Sequence, residues 1–66
     1  MPKRYTVREI LRILRKHGWV QVAQRGSHRQ LKHDTKRGRV TVPGKEGDTL
    51  KPGTAASIFR QAQIEP

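Results

Sequence analysis

The stretch WVQVAQRGSHRQLKH, residues 19–33, predicts a β-hairpin around which the rest of the fold is arranged. Residues 19–24 are rich in β-branched and aromatic side chains, which favour strands. Gly26 can take a positive φ at no steric cost, so we expect a turn at residues 25–27. Residues 29–33 then form a second strand that returns beside the first. Two antiparallel strands are therefore the starting point of the fold.

A third strand is predicted after a second turn. Residues 34–38, with the sequence DTKRG, have turn composition. Residues 39–43 follow as a strand in which Val40 and Val42 share one face and Thr41 lies on the other. Residues 44–53 are rich in glycine and charge and are expected to form a loop. Two successive hairpins give an antiparallel meander.

A helix is predicted on each side of these strands. Thr6 and Glu9 have the Thr-x-x-Glu spacing of a capping box, and Gly18 suits the left-handed residue that ends a helix. Apolar residues recur between them at helical spacing, which predicts a helix over residues 6–17. A second, shorter helix is expected from about Pro52 or Thr54 to Gln63, since proline favours a first helical turn.

These elements predict an α+β fold of order α-β-β-β-α, in a single domain over residues 1–66. A three-stranded antiparallel sheet is expected to carry both helices on one face, which leaves the other face open for function. The predicted core comprises Val7, Ile10, Leu11, Leu14, Trp19 or Val20, Val22, Leu31, Val40, Val42, Ile58 and Phe59. Trp19 alternatively stacks on a base, although its position after Gly18 favours the core.

The composition points to a polyanionic partner. The 66 residues include 15 Lys and Arg against 5 Asp and Glu, a net charge of +10. Such self-repulsion is relieved by an anion, for which nucleic acid is the first candidate and an acidic protein the second. An anionic membrane surface is the third and weakest candidate, because a membrane-binding basic amphipathic helix is expected to carry bulky apolar anchors without an accompanying globular pattern, so no membrane partner is expected. With no cysteine and no signal-like apolar run, we expect a cytoplasmic protein.

His28 is the candidate catalytic residue. Histidine populates both protonation states near neutral pH and therefore suits proton transfer to and from a phosphodiester. An ordinary surface histidine in an RNA-binding domain is the alternative. Gly26 and Ser27 are expected to support the turn. Ser27 is not expected to be a nucleophile, because no acidic residue is placed to orient His28 in a triad.

Neither a metal nor another cofactor is expected. His17, His28 and His33 lack the spacings that converge on one ion, and the missing cysteines exclude the common zinc sites. His33 is five residues from His28, an odd step along a strand, so the two side chains are predicted on opposite faces.

Basic residues around the two hairpin ends form the predicted RNA-binding set. This set comprises Arg25, Arg29, Lys32, Lys36, Arg37 and Arg39. Recognition is expected to follow the shape and backbone of RNA rather than its sequence. Arg8, Arg12 and Arg15 make a second basic stripe on the first helix, for which RNA contact and a merely solvated face are equally good interpretations.

Several segments resemble the HicA family of toxins. The similarity lies in residues 14–20 (LRKHGWV), 24–33 (QRGSHRQLKH), 40–43 (VTVP) and 50–54 (LKPGT), leading to Ser57-Ile58. It spans about residues 7 to 62. The Gly-Ser-His element is its most specific part. Gln63 departs from the resemblance, since many relatives end the last helix with glycine.

The resemblance implies a fold like that of double-stranded-RNA-binding domains and an endoribonuclease that cleaves mRNA and arrests translation. It places the catalytic role on His28 and implies an acidic HicB-like antitoxin that blocks the active site. The free toxin is expected to be monomeric. Two alternatives stay open from the residues alone: a non-catalytic RNA-binding module, and a protein whose basic face serves only an acidic partner.

Overall fold

The computed structural model describes residues 4–65 and contains the predicted order of elements. They are α1 (Val7–Lys16), β1 (Trp19–Arg25), β2 (His28–His33), β3 (Val40–Val42) and α2 (Pro52–Ala62). The strands form one antiparallel sheet in the order β1-β2-β3. The α+β fold with an α-β-β-β-α order is therefore confirmed.

The amino end of α1 is closed by two sets of contacts. The predicted capping box is present: the Glu9 N–H donates to Thr6 Oγ1 over 3.1 Å, and the Thr6 N–H donates to Glu9 Oε1 over 3.1 Å. The loop before α2 supplies two more acceptors, since the N–H groups of Val7 and Arg8 donate to the carbonyls of Asp48 and Glu46. The start of α1 is therefore fixed by its own cap and by a distant loop.

Strand β1 contains a β-bulge, and its two valines lie on the exposed side of the sheet. Gln21 pairs with Leu31 and Ala23 pairs with Gln30, which leaves Val22 as an extra residue between two pairs. Because paired residues of antiparallel strands share a face, Val20 lies with its partner Lys32 on the face opposite buried Leu31.

The core prediction is wrong for Val22, and of the alternatives Trp19 and Val20 it is Trp19 that is buried; the other predicted core residues are confirmed. Val20 is 61% exposed and Val22 is 52% exposed, whereas Trp19 is fully buried. Trp19 is thus the one side chain that β1 contributes to the core. Because its indole is buried, the alternative prediction that Trp19 stacks on a base is wrong. Leu50, Ala55, Ala62 and Ile64 also join the cluster of buried residues.

The residue that ends the second helix, Gln63, has a backbone conformation that is uncommon for residues other than glycine. Gln63 has a φ of 57°, in the left-handed region, and its N–H donates to the Arg60 carbonyl. The next N–H, of Ile64, donates to the Phe59 carbonyl. Gln63 therefore adopts the termination geometry for which glycine is ordinarily used. Across residues 4–65, we find no helix with the length and apolar character needed to span a bilayer.

Candidate functional site

His28 is fixed in space by the hairpin between β1 and β2. It is the first residue of β2 and pairs with Arg25, the last residue of β1. The turn between them contains Gly26 at a φ of 56°, as predicted, and the Gln24 side-chain amide donates to the Gly26 carbonyl over 2.9 Å. The backbone of His28 is therefore held by the sheet, while its side chain is exposed.

A groove of about 390 Å³ lies beside His28. One wall comes from the sheet, with Thr41 of β3 and Pro43 just beyond it. The other wall is α2. Its lining residues are Gly53, Thr54, Ser57, Ile58 and Gln61. The groove therefore lies between the catalytic candidate and the last helix.

One side chain joins the two walls. The Thr41 N–H, on the outer edge of β3, donates to Gln61 Oε1 over 3.3 Å. The amide nitrogen of Gln61 in turn donates to Ser57 Oγ over 3.3 Å. Gln61 thus covers part of the sheet edge and sets the separation of α2 from β3.

His28 is the one titratable side chain that lines the groove. Within residues 4–65, its imidazole makes no hydrogen bond or ion pair, so both ring nitrogens remain open to a ligand. No carboxylate lines the groove, and the Ser27 hydroxyl has no hydrogen-bond partner in the described part of the chain. The groove therefore has one imidazole that is able to exchange a proton with a ligand, and it does not resemble a Ser-His-acid triad.

The other two histidines have structural positions. The carbonyl of His17 lies 2.9 Å from Nε2 of His33. Nδ1 of His33 accepts hydrogen bonds from the N–H groups of Thr35 and Lys36, at 3.1 and 3.2 Å. Since Nδ1 is an acceptor, Nε2 carries the proton and donates to His17. In residues 4–65, no group of three His, Cys, Asp or Glu side chains is placed to hold a metal ion.

The predicted RNA-binding residues divide into two groups. Arg29 and Lys36 have partners within the fold: Arg29 donates to the Gly44 carbonyl over 2.7 Å, and the Lys36 ammonium donates to the Ala62 carbonyl over 3.3 Å. The exposed members are Arg25, Lys32, Arg37 and Arg39. Of these, Arg39 donates to Gln30 Oε1 over 2.7 Å. Four of the six cations are therefore available on the surface.

The sequence predictions missed the α2 side of the groove. Thr54, Ser57 and Gln61 recur at helical spacing and form a neutral polar stripe next to the apolar one. The stripe was visible in the sequence, but nothing there indicated that it would face His28. That proximity depends on how α2 packs against β3.

The amino end of α2, at Pro52, Gly53 and Thr54, differs from that of α1. Its cap residue, Lys51, makes no side-chain capping bond, and no acidic residue lies in the first turn. Gly53 and Thr54 of that turn also line the groove. The partial positive charge of a helix amino end therefore adds to the charge of the surrounding cations.

Comparison with known proteins identifies the class. A family model described as the HicA toxin of bacterial toxin-antitoxin systems matches residues 7–64. A search of curated proteins found no match. The match covers nearly the whole chain and defines the class, the toxin component of a toxin–antitoxin system. Within that class, the chain belongs to the HicA toxin family.

Proposed function

We propose that the chain is an endoribonuclease that cleaves mRNA and arrests growth, with His28 as its catalytic residue. The single observation that carries this proposal is the position of His28, an exposed imidazole without a partner in the described chain, at the rim of a groove. The family match supplies the toxin role, and the net charge of +10 favours an RNA substrate.

The chemistry needs only the RNA and one proton-transfer group to begin. The 2′-oxygen attacks the adjacent phosphorus and gives its proton to His28 as the general base. The bond from phosphorus to the 5′-oxygen breaks, and that oxygen takes a proton from a water molecule, whose hydroxide then removes the proton held by His28. The products are a 2′,3′-cyclic phosphate and a 5′-hydroxyl. Each atom of the phosphodiester is accounted for without a cofactor.

Exposed cations support the charge that develops on the phosphate. Arg25 is the pairing partner of His28 on β1, and Lys32 and Arg39 are exposed on the strand or turn beyond it. Cationic side chains stabilise the phosphorane-like transition state and the RNA backbone on either side of it. The uncapped amino end of α2 adds a partial positive charge at the groove.

Membership of a toxin–antitoxin family implies a protein partner. We propose that this partner is an acidic, HicB-like antitoxin that covers His28. An acidic inhibitor would neutralise the toxin's charge and exclude RNA from the same surface. Competition between antitoxin and RNA is the expected signature, and binding of both at once would argue for separate surfaces.

Expression in a growing culture tests the toxin proposal. The parent chain is expected to stop growth and degrade mRNA, whereas His28→Ala is expected to permit growth at equal expression. His17→Ala is the matched control, since it removes an exposed imidazole at the end of α1. Arrest of growth by His28→Ala at the parent's level would overturn the proposal.

A non-catalytic RNA-binding module is the second candidate. It is favoured by the groove lining, in which no second acid or base accompanies His28. This candidate predicts that RNA remains intact after long incubation and that binding weakens with salt. Each phosphate neutralised contributes about 0.7–0.9 to the slope of log affinity against log salt concentration. Cleavage products from the parent that are missing with His28→Ala would exclude it.

A further inference from the structure

The side chains that line the groove beside His28 suit a neutral ligand better than a phosphate, because the fixed positive charge there is only the partial charge of the α2 amino end, at the Gly53–Thr54 side of the groove. Its polar side chains, apart from His28, are Thr41, Thr54, Ser57 and Gln61, none of which carries a charge. The exposed cations Arg25, Lys32, Arg37 and Arg39 are not part of the lining. Phosphates are therefore expected to follow the cationic surface outside the groove, where charge-assisted bonds are available.

The lining also combines apolar surface with adaptable hydrogen-bonding groups. Pro43 and Ile58 provide apolar contact. Hydroxyl groups both donate and accept, and an amide side chain has two donors and an acceptor oxygen with two lone pairs. Gln61 uses one acceptor position on Thr41 and one donor on Ser57, so it keeps a free N–H and a free lone pair. A planar heterocycle with a polar edge matches this combination.

The size of the groove limits what can enter it. Its volume of about 390 Å³ is at the small end of ligand pockets, which span roughly 300–1,000 Å³. A groove of this size has room for one nucleotide's base and not for a stacked helix. Sequence-specific RNA recognition ordinarily uses such unstacked bases, whereas duplexes are read by shape across a groove.

We propose that this groove binds the base of an unpaired nucleotide next to the scissile phosphate, with Ser57 and Gln61 contacting its polar edge. The inference rests on the proposed ribonuclease function. Turning a base out of the stack also frees the backbone there, which allows the 2′-oxygen to line up with the leaving 5′-oxygen. An A-form duplex holds these atoms out of line. Single-stranded RNA with a preferred base is therefore the substrate class, in place of the sequence-independent recognition expected from the sequence.

Two glycines offer a matched pair of variants. A Cβ at Gly53, which lines the groove, would meet no heavy atom within 4 Å, and the same is true at Gly47 in the loop before α2. Neither glycine has a positive φ. A leucine at either position is therefore free of backbone strain, but only Gly53→Leu adds side-chain volume to the groove wall.

Binding of nucleosides to the parent protein tests the pocket without any cleavage. The four ribonucleosides carry no phosphodiester, and ribose alone is the ligand control. In amide NMR spectra, at least one nucleoside is expected to shift the signals of Thr41, Ser57 and Gln61, while ribose shifts none. Gly53→Leu is expected to weaken that binding by at least about tenfold, and Gly47→Leu is expected to bind like the parent.

Mapping of cleavage sites gives the second readout. A single strand is expected to be cut faster than the same strand in a duplex, with one base preferred beside the cut. Cleavage without nucleoside binding and without a base preference would overturn the pocket and leave the nuclease standing. Nucleoside binding without cleavage would support the pocket and remove the nuclease. Binding that Gly53→Leu leaves unchanged would also overturn the pocket.

Discussion

The ring of His33 packs edge-on against the indole of Trp19, with ring centroids 5.2 Å apart and planes inclined by 63°. Both residues belong to the pair that opens the β1–β2 ladder. His33 therefore connects the turn after β2 to the core. His28 lies at the other end of the same strand and lines the groove.

Removing the His33 ring is expected to destabilise the fold. His33→Ala loses the aromatic contact with Trp19 and the acceptor of the N–H groups of Thr35 and Lys36. We expect the free energy of unfolding to fall by about 1–3 kcal/mol, as measured by denaturant titration. His17→Ala keeps the carbonyl that His33 contacts and is expected to stay within about 0.5 kcal/mol of the parent. Equal stability of the two variants would contradict the role of His33.

Gly18 is expected to tolerate substitution less well than Gly26. Both have a positive φ, at 90° and 56°, which costs a residue with a side chain about 1–2 kcal/mol. A Cβ at Gly18 would also lie 2.7 Å from Nε2 of His33, whereas a Cβ at Gly26 would meet nothing within 4 Å. In thermal unfolding, the melting temperature of Gly18→Ala should be lower than that of Gly26→Ala. The reverse order would show that this close approach is not limiting.

Gln63→Gly is expected to stabilise the protein. Gln63 has a φ of 57°, and glycine takes this conformation without a Cβ penalty. The gain in unfolding free energy should be about 0.5–1 kcal/mol. Ala56→Gly, in the exposed middle of the same helix, is the control and should lose about 1 kcal/mol. A loss from both substitutions would mean that the Gln63 side chain contributes to the end of α2.

The exposed valines of β1 are expected to accept a hydroxyl at little cost. Val20 is 61% exposed, and Val40 is fully buried. Val20→Thr should change the unfolding free energy by less than about 0.5 kcal/mol. Val40→Thr buries a hydroxyl in the core and should cost about 1–3 kcal/mol in chemical denaturation. A comparable loss at Val20 would place that side chain in the core after all.

Local signals predicted the elements of this fold well. Two kinds of feature could be predicted because each depends on only a few neighbouring residues: the capping box of Thr6 and Glu9, and the left-handed glycines Gly18 and Gly26. Val22 was wrongly placed in the core because alternation along β1 groups its residues into two faces without saying which face is buried; the pairing of Val20 with Lys32, next to buried Leu31, decides that.

The candidate site was only half predictable for the same reason. The turn that holds His28 is local, and the sequence predicts it correctly just before the second strand, which the structure begins at His28 itself. The opposite wall of the groove contains Ser57 and Gln61, which follow His28 by 29 and 33 positions in the sequence. These residues come close to His28 only through the packing of α2 against the sheet. Likewise, contacts of Arg29 with Gly44 and of Lys36 with Ala62 divide a basic cluster that composition treats as uniform.

One imidazole, that of His28, is expected to carry out the proton transfer of RNA cleavage. The most direct measurement is cleavage of a single-stranded RNA by the purified parent, His28→Ala and His17→Ala, prepared identically and shown to be equally folded. The parent and His17→Ala should cut at similar rates, and His28→Ala should be slower by about 100-fold or more, the usual contribution of general acid–base catalysis. Cleavage by His28→Ala at the parent's rate would contradict the claim.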